Sequence, residues 1–301
     1  MNAIAETSAS ARALLAPRVL VPLALAGVYL IWGSTYLAIR IALESYPPFL
    51  MAAIRFPIAG ALMFFALRWR GVPAPTPRQW FNCFVTGTLL LGIGNGLVCY
   101  AEQTVASGIT AVAVASVALV MAIFAGIYGQ WPNRIEWVGL LVGFGGVIVL
   151  NFGGELRGSP TGAIALVVAT LGWAFGSVWS KHREMPQPMM SAAAQMLCGG
   201  ASLAVIALAR GEHLAAWPSA RATLALAYLL VAGSILGFSA YIYLLHHTRP
   251  ALASSYAYVN PPVAVLVGVW LAGETVTTLD IVGMIIILAS VAAITLAKTK
   301  R

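Results

Sequence analysis

Between Arg78 and Arg134 the chain carries one charged residue, Glu102, and between Arg221 and Arg249 it carries none. Runs of this kind leave a fold few options. In lipid every backbone N–H and C=O must be satisfied within the chain, so a long uncharged apolar run is forced into a helix. A spanning helix takes about 20 mostly apolar residues. That length fits at 19–40, 48–67, 79–100, 107–129, 135–152, 160–181, 187–209, 219–245, 251–272 and 279–297. The connections are short and leave no room for a soluble domain. Only 9% of the residues are charged, against roughly 25% in a soluble domain, too few to cover a water-facing surface. The expected fold class is an all-α polytopic membrane protein with ten transmembrane helices.

The net charge of +8 is too thinly spread for a nucleic-acid-binding stripe and reads instead as a loop bias. With the N-terminus placed inside, the inner segments hold Arg12, Arg18, Arg68, Arg70, Arg78, Arg134, Lys181, Arg183, Arg249, Lys298, Lys300 and Arg301. The outer ones hold Arg40, Arg157, Arg210 and Arg221, and Arg55 falls within a span. That asymmetry follows the positive-inside rule and places both termini in the cytoplasm. The first apolar run is longer than the core of a signal peptide and is expected to be retained.

The chain also repeats itself. At one offset Gly33-Ser34 meets Gly176-Ser177, Trp32 meets Phe175, Tyr36 meets Trp179, Gly94 meets Gly237 and Tyr100 meets Tyr243; one residue further on, Val138-Gly139 meets Val282-Gly283. The expected halves are residues 1–155 and 156–301, five spans each. An odd number of spans inverts the second half in the membrane, an arrangement recurrent in secondary transporters that bind substrate between the halves.

The stretches "IWGSTYLAIRIAL" with "AAIRFPIAG", "GNGLVCYAEQTVASG", "WAFGSVWSK" and "SSYAYVNPPVAVLVGVWLAGETVT" resemble the EamA repeats of the drug/metabolite transporter superfamily. The likeness runs through both halves and is nearest to the ten-helix exporters of amino acids and related metabolites. It implies a transporter in the cell inner membrane, with export as the direction. Rival readings are a nucleotide-sugar or lipid-linked sugar carrier and, in another class, a membrane receptor or intramembrane enzyme.

Trp32 and Tyr36 stand four apart on one helical face, as Phe175 and Trp179 do in the second half. Such residues either pack helices or line a cavity, and pockets favour aromatic walls with few polar groups. Ser34 and Ser177 accompany them as small polar members. Arg55, about two turns inside its span, either snorkels outward or reaches the cavity, where it could hold a carboxylate. Asn95 and Tyr100, with Tyr243 in the other half, make polar lines. Tyr258 and Asn260 precede Pro261, which frees a carbonyl one turn earlier; Tyr256 and Tyr258 cannot both face the same way. Glu102 and Glu274 read as exposed charges near helix ends and are the only acidic candidates for proton coupling at that face, with facilitated diffusion as the alternative mechanism. Cys83, Cys99 and Cys198 have no metal-ligand spacing, and "GIGNG" at 92–96 follows no strand and so fails as a nucleotide loop. No cofactor or metal is expected; the expected partners are a small-molecule substrate and the lipid bilayer, no nucleic acid, and the chain is a monomer or homodimer.

Overall fold

The computed structural model describes residues 17–105, 110, 113–150, 159–272 and 277–297. Arg12, Arg157, Glu274, Lys298, Lys300 and Arg301 lie outside them. The described residues are helical, without strands: α1 Pro17–Leu43, α2 Pro48–Trp69, α3 Pro77–Ala101, α4 Ala113–Ile127, α5 Arg134–Leu150, α6 Pro160–Lys181, α7 Pro188–Ala209, α8 Ala220–His247, α9 Tyr256–Ala272 and α10 Thr278–Leu296. By length and composition α1, α2, α3, α6, α7, α8 and α10 are able to cross a membrane. α5 and α9 have 17 residues each, and α4 is a shorter apolar helix within an expected span, 107–129, that is described only in part.

Helix starts are written locally. Pro48, Pro77, Pro160 and Pro188 open their helices, where the missing N–H would have had no partner anyway. Thr76 and Gln79 form a reciprocal capping box, as do Thr277 and Asp280, while Ser159 and Ser219 cap α6 and α8. Such pairing matters at a bilayer edge, since a bare helix end leaves four N–H groups unsatisfied.

Packing is by small residues. Without a hydrophobic force between helices in lipid, close backbone approach supplies the contact energy. α3 meets α7 where Gly87 and Gly199 face one another's backbones. α5 lies along α10 through Gly139, Gly143 and Gly146, whose missing side chains make room for Ile294, Ser290 and Ile287. One buried cluster gathers Val28, Phe56, Leu90, Phe238 and Tyr241 around the centre, and a second joins Leu140, Tyr258 and Ile287.

Two helices depart from α geometry. Thr88–Asn95 in α3 and Leu229–Phe238 in α8 are π-helical, a wide-turn form that is rare and often found at functional sites. Both segments contribute to the central cavity.

Candidate functional site

A cavity of about 100 Å³ opens between the helices. Its wall takes Trp32, Thr35 and Tyr36 from α1, Arg55 and Phe56 from α2, Gly94, Asn95 and Val98 from α3, Thr170 and Trp173 from α6, Gly233 and Phe238 from α8, and Tyr256 and Asn260 from α9. For scale, an engineered apolar cavity of about 150 Å³ takes up benzene.

One side is an aromatic box. Trp32 meets Trp173 edge to face at 5.6 Å between centroids and Tyr256 likewise at 4.9 Å, and lies tilted against Tyr241 at 5.3 Å. Trp173 and Tyr241 close the figure at 5.4 Å. Both indole edges and the Tyr241 hydroxyl are engaged. The Trp32 indole N–H donates to the Gly233 carbonyl at 3.1 Å, and the Trp173 N–H donates to the Tyr241 hydroxyl at 3.1 Å. Ser177 Oγ lies 2.6 Å from the same hydroxyl. These bonds leave apolar ring surface towards the cavity and fix the ring orientations. Gly237 and Gly94 make the box possible: a Cβ at either would collide with Trp32 or Trp173 respectively.

The other side is polar. Arg55, 4% exposed, donates from Nη2 to Asn95 Oδ1 at 2.8 Å and lies 4.3 Å over the Phe56 ring centre. Its Nε is buried without a hydrogen-bond partner, and so is Oδ1 of Asn260. No ion pair within 4 Å neutralises Arg55 among the described residues, and no other cationic side chain lines the cavity there. A buried, uncompensated guanidinium is a ready site for an anion. Among the described residues no group of three His, Cys, Asp or Glu side chains is placed to hold a metal ion.

Of the residues expected at the site, Trp32, Tyr36, Arg55, Asn95 and Asn260 line this cavity. The others do not. Phe175 points outward against Phe124 at 5.5 Å, because two residues beyond Trp173 on a helix is a rotation of about 200°. Trp179 sits at the far end of α6 under the Arg183 guanidinium, 4.8 Å away. Ser34 bonds to the Ile31 carbonyl and the Tyr228 hydroxyl. Tyr100 stacks on Phe49, and the Arg210 guanidinium lies 4.9 Å from its ring centre. Tyr243 stacks on His247 at 4.0 Å. Tyr258 is fully buried and donates to the Leu140 carbonyl at 2.9 Å. Ser177 stands behind the wall, holding Tyr241.

Several wall residues lie outside the expected set, Thr35, Phe56, Thr170 and Trp173 among them, and of the alternatives Tyr256 and Tyr258 it is Tyr256 that lines the cavity. Trp173 takes the place given to Phe175, since the contacts pair Trp32 with Gly237 and Trp173 with Gly94; the first helices of the halves match two residues out of step with the third. Tyr256 takes the place given to Tyr258, and its spacing of four from Asn260 is the signal that could have found it. Glu102 is also corrected. It is not an exposed charge: its Oε2 is buried without a partner, one residue past α3.

Comparison with known proteins follows the same outline. The EamA-like transporter family matches residues 20–152 and again 160–296. The inner membrane transporter YedA of Escherichia coli (strain K12) is 45% identical over 284 residues, covering 93% of each chain. The transporter YoaV of Bacillus subtilis (strain 168) is 25% identical over 272 residues, covering 87% of this chain and 91% of its own. A solved crystal structure shares the fold, with TM-score 0.78 at 21% identity over 92% of this chain and 96% of that one.

Proposed function

The chain belongs to the EamA-like transporter family, and from that premise we propose that it exports small amphipathic carboxylates, amino acids with aromatic or other apolar side chains first among them. The observation that carries this reading is the pairing, within one small cavity, of an uncompensated buried Arg55 with the aromatic box of Trp32, Trp173 and Tyr256. A carboxylate group would take the guanidinium and an apolar side chain the rings. The cavity's size and its single cation favour a small zwitterion over a nucleotide sugar, whose two phosphates call for several cations.

The proposed setting is the inner membrane, where the relative in Escherichia coli carries its name, with ten spans and both termini in the cytoplasm. The double match of the family supports two repeats, and the Lys and Arg bias supports their inverted placement. Two such halves exchange conformations around a central site, which is alternating access.

The test is flux. Purified protein in liposomes should release preloaded radiolabelled L-phenylalanine faster than protein-free liposomes, and faster than it releases glucose. Equal release with and without protein, for every apolar amino acid tried, would reject the substrate class.

A further inference from the structure

Glu102 is left with an unusual environment. The face of α3 that presents Asn95 and Val98 to the cavity continues, seven and four residues on respectively, to Glu102. Glu102 thus follows the cavity-lining Val98 by about one turn, with its Oε2 buried and without a hydrogen-bond partner. The charged and titratable groups around it are Arg40 and Tyr36 of α1, Arg55 of α2 and Cys99 of α3. Another acid on this side, Glu212, is engaged: it accepts the Leu50 N–H at 2.8 Å and lies 3.9 Å from Arg210. Glu102 and Arg55 are thus an acid and a cation that interact electrostatically without closing an ion pair, each keeping one buried polar atom unsatisfied.

We propose that Glu102 is a proton-binding site whose occupancy decides whether Arg55 is free to take a carboxylate. With the proton on, the carboxyl is neutral and the guanidinium is the uncompensated charge that draws an anion into the cavity. With the proton released to water, the Glu102 carboxylate compensates Arg55 itself and repels a second anion. Proton and carboxylate therefore bind together, and by linkage each strengthens the other by the same factor. Burial pushes the Glu102 carboxyl up to about 8 against the opposing pull of Arg40 and Arg55, which puts the exchange near physiological pH. The inference rests on reading Arg55 as the carboxylate site.

Benzoate is the probe, because it carries a carboxylate and a ring and nothing else. In the reconstituted protein its affinity, read by cavity tryptophan fluorescence, should fall about tenfold or more between about pH 6.5 and about pH 9.5. Glu102→Gln should bind benzoate with the low-pH affinity throughout, and Glu102→Asp should keep a pH dependence with a displaced midpoint. Infrared difference spectra should show a carboxylic-acid carbonyl band, absent in Glu102→Gln, whose titration benzoate moves to higher pH. One pH profile shared by wild type and Glu102→Gln, or a band that benzoate leaves in place, overturns the coupling while leaving Arg55 as the carboxylate site. Absence of benzoate binding in every variant at every pH overturns the Arg55 reading and the coupling with it.

Discussion

Trp32 of α1 and Trp173 of α6 meet edge to face, with ring planes 79° apart and centroids at 5.6 Å. Each ring is received by a glycine on a π-helical segment, Gly237 of α8 for Trp32 and Gly94 of α3 for Trp173. The two halves of the chain thus bring the same device to one point: a tryptophan on the first helix and a glycine on the third helix of the opposite half.

Ring contact of this kind contributes about 0.5–1.5 kcal/mol beyond buried area. Trp32→Ala and Trp173→Ala should each weaken apparent affinity for L-phenylalanine by up to about tenfold, with a smaller effect for L-threonine. Trp179→Ala, outside the cavity, should leave affinity unchanged. Concentration dependence of liposome uptake measures all three.

Arg55→Gln keeps an amide able to reach Asn95 and removes the charge. Loss of a charged hydrogen bond is worth about 1.5–3 kcal/mol, so affinity for L-phenylalanine should drop about ten- to a hundredfold. Phenethylamine, which lacks the carboxylate, should lose far less. Equal losses for both, with less folded protein recovered, would make Arg55 a structural residue.

Glu102 also sets a pH dependence of stability. Its carboxyl is raised from the ordinary value of 4.5 to about 8 in the folded chain, so between those values the folded state holds a proton that the unfolded state has given up. Stability from this group is full below about pH 4.5 and declines as pH rises to about 8. Melting temperature in detergent should fall across that window, and Glu102→Gln should flatten the slope.

The contact of α3 with α7 has no room to spare. A Cβ at Gly87 would press on the Gln195 carbonyl and stand 3.0 Å from the Gly199 amide nitrogen, and backbone cannot turn aside as a side chain can. Gly87→Ala should cost about 1–3 kcal/mol, seen as a drop of several degrees in melting temperature. Gly27→Ala, with nothing within 4 Å of its Cβ, should be neutral.

Reporter fusions check the membrane topology. A fusion at Leu214, between α7 and α8, should report outside, and one after Arg301 should report inside. A cytoplasmic signal at Leu214 would remove the ten-span arrangement.

The sequence by itself determined the helical class, because uncharged apolar runs have no other way to satisfy their backbone. It also determined where helices begin, since Pro77 with Thr76 and Gln79, or Thr277 with Asp280, act within a single turn. Arg55 and the Trp32–Tyr36 face were legible as well: a charge or paired aromatics within a span stand out from their surroundings. What only the tertiary structure decided is which side of each helix looks inward. Around a soluble core, apolar residues mark the inside; in lipid they serve both faces, so Phe175 and Trp173, or Tyr258 and Tyr256, read alike along the chain. The π-helical segments of α3 and α8 add a second obstacle, because a turn wider than 3.6 residues shifts every later side chain away from the face that its spacing implies. The surroundings of Glu102 are beyond any local pattern, because Arg40 of α1 and Arg55 of α2, which act on it electrostatically, belong to helices distant in sequence that only the packed bundle brings near it.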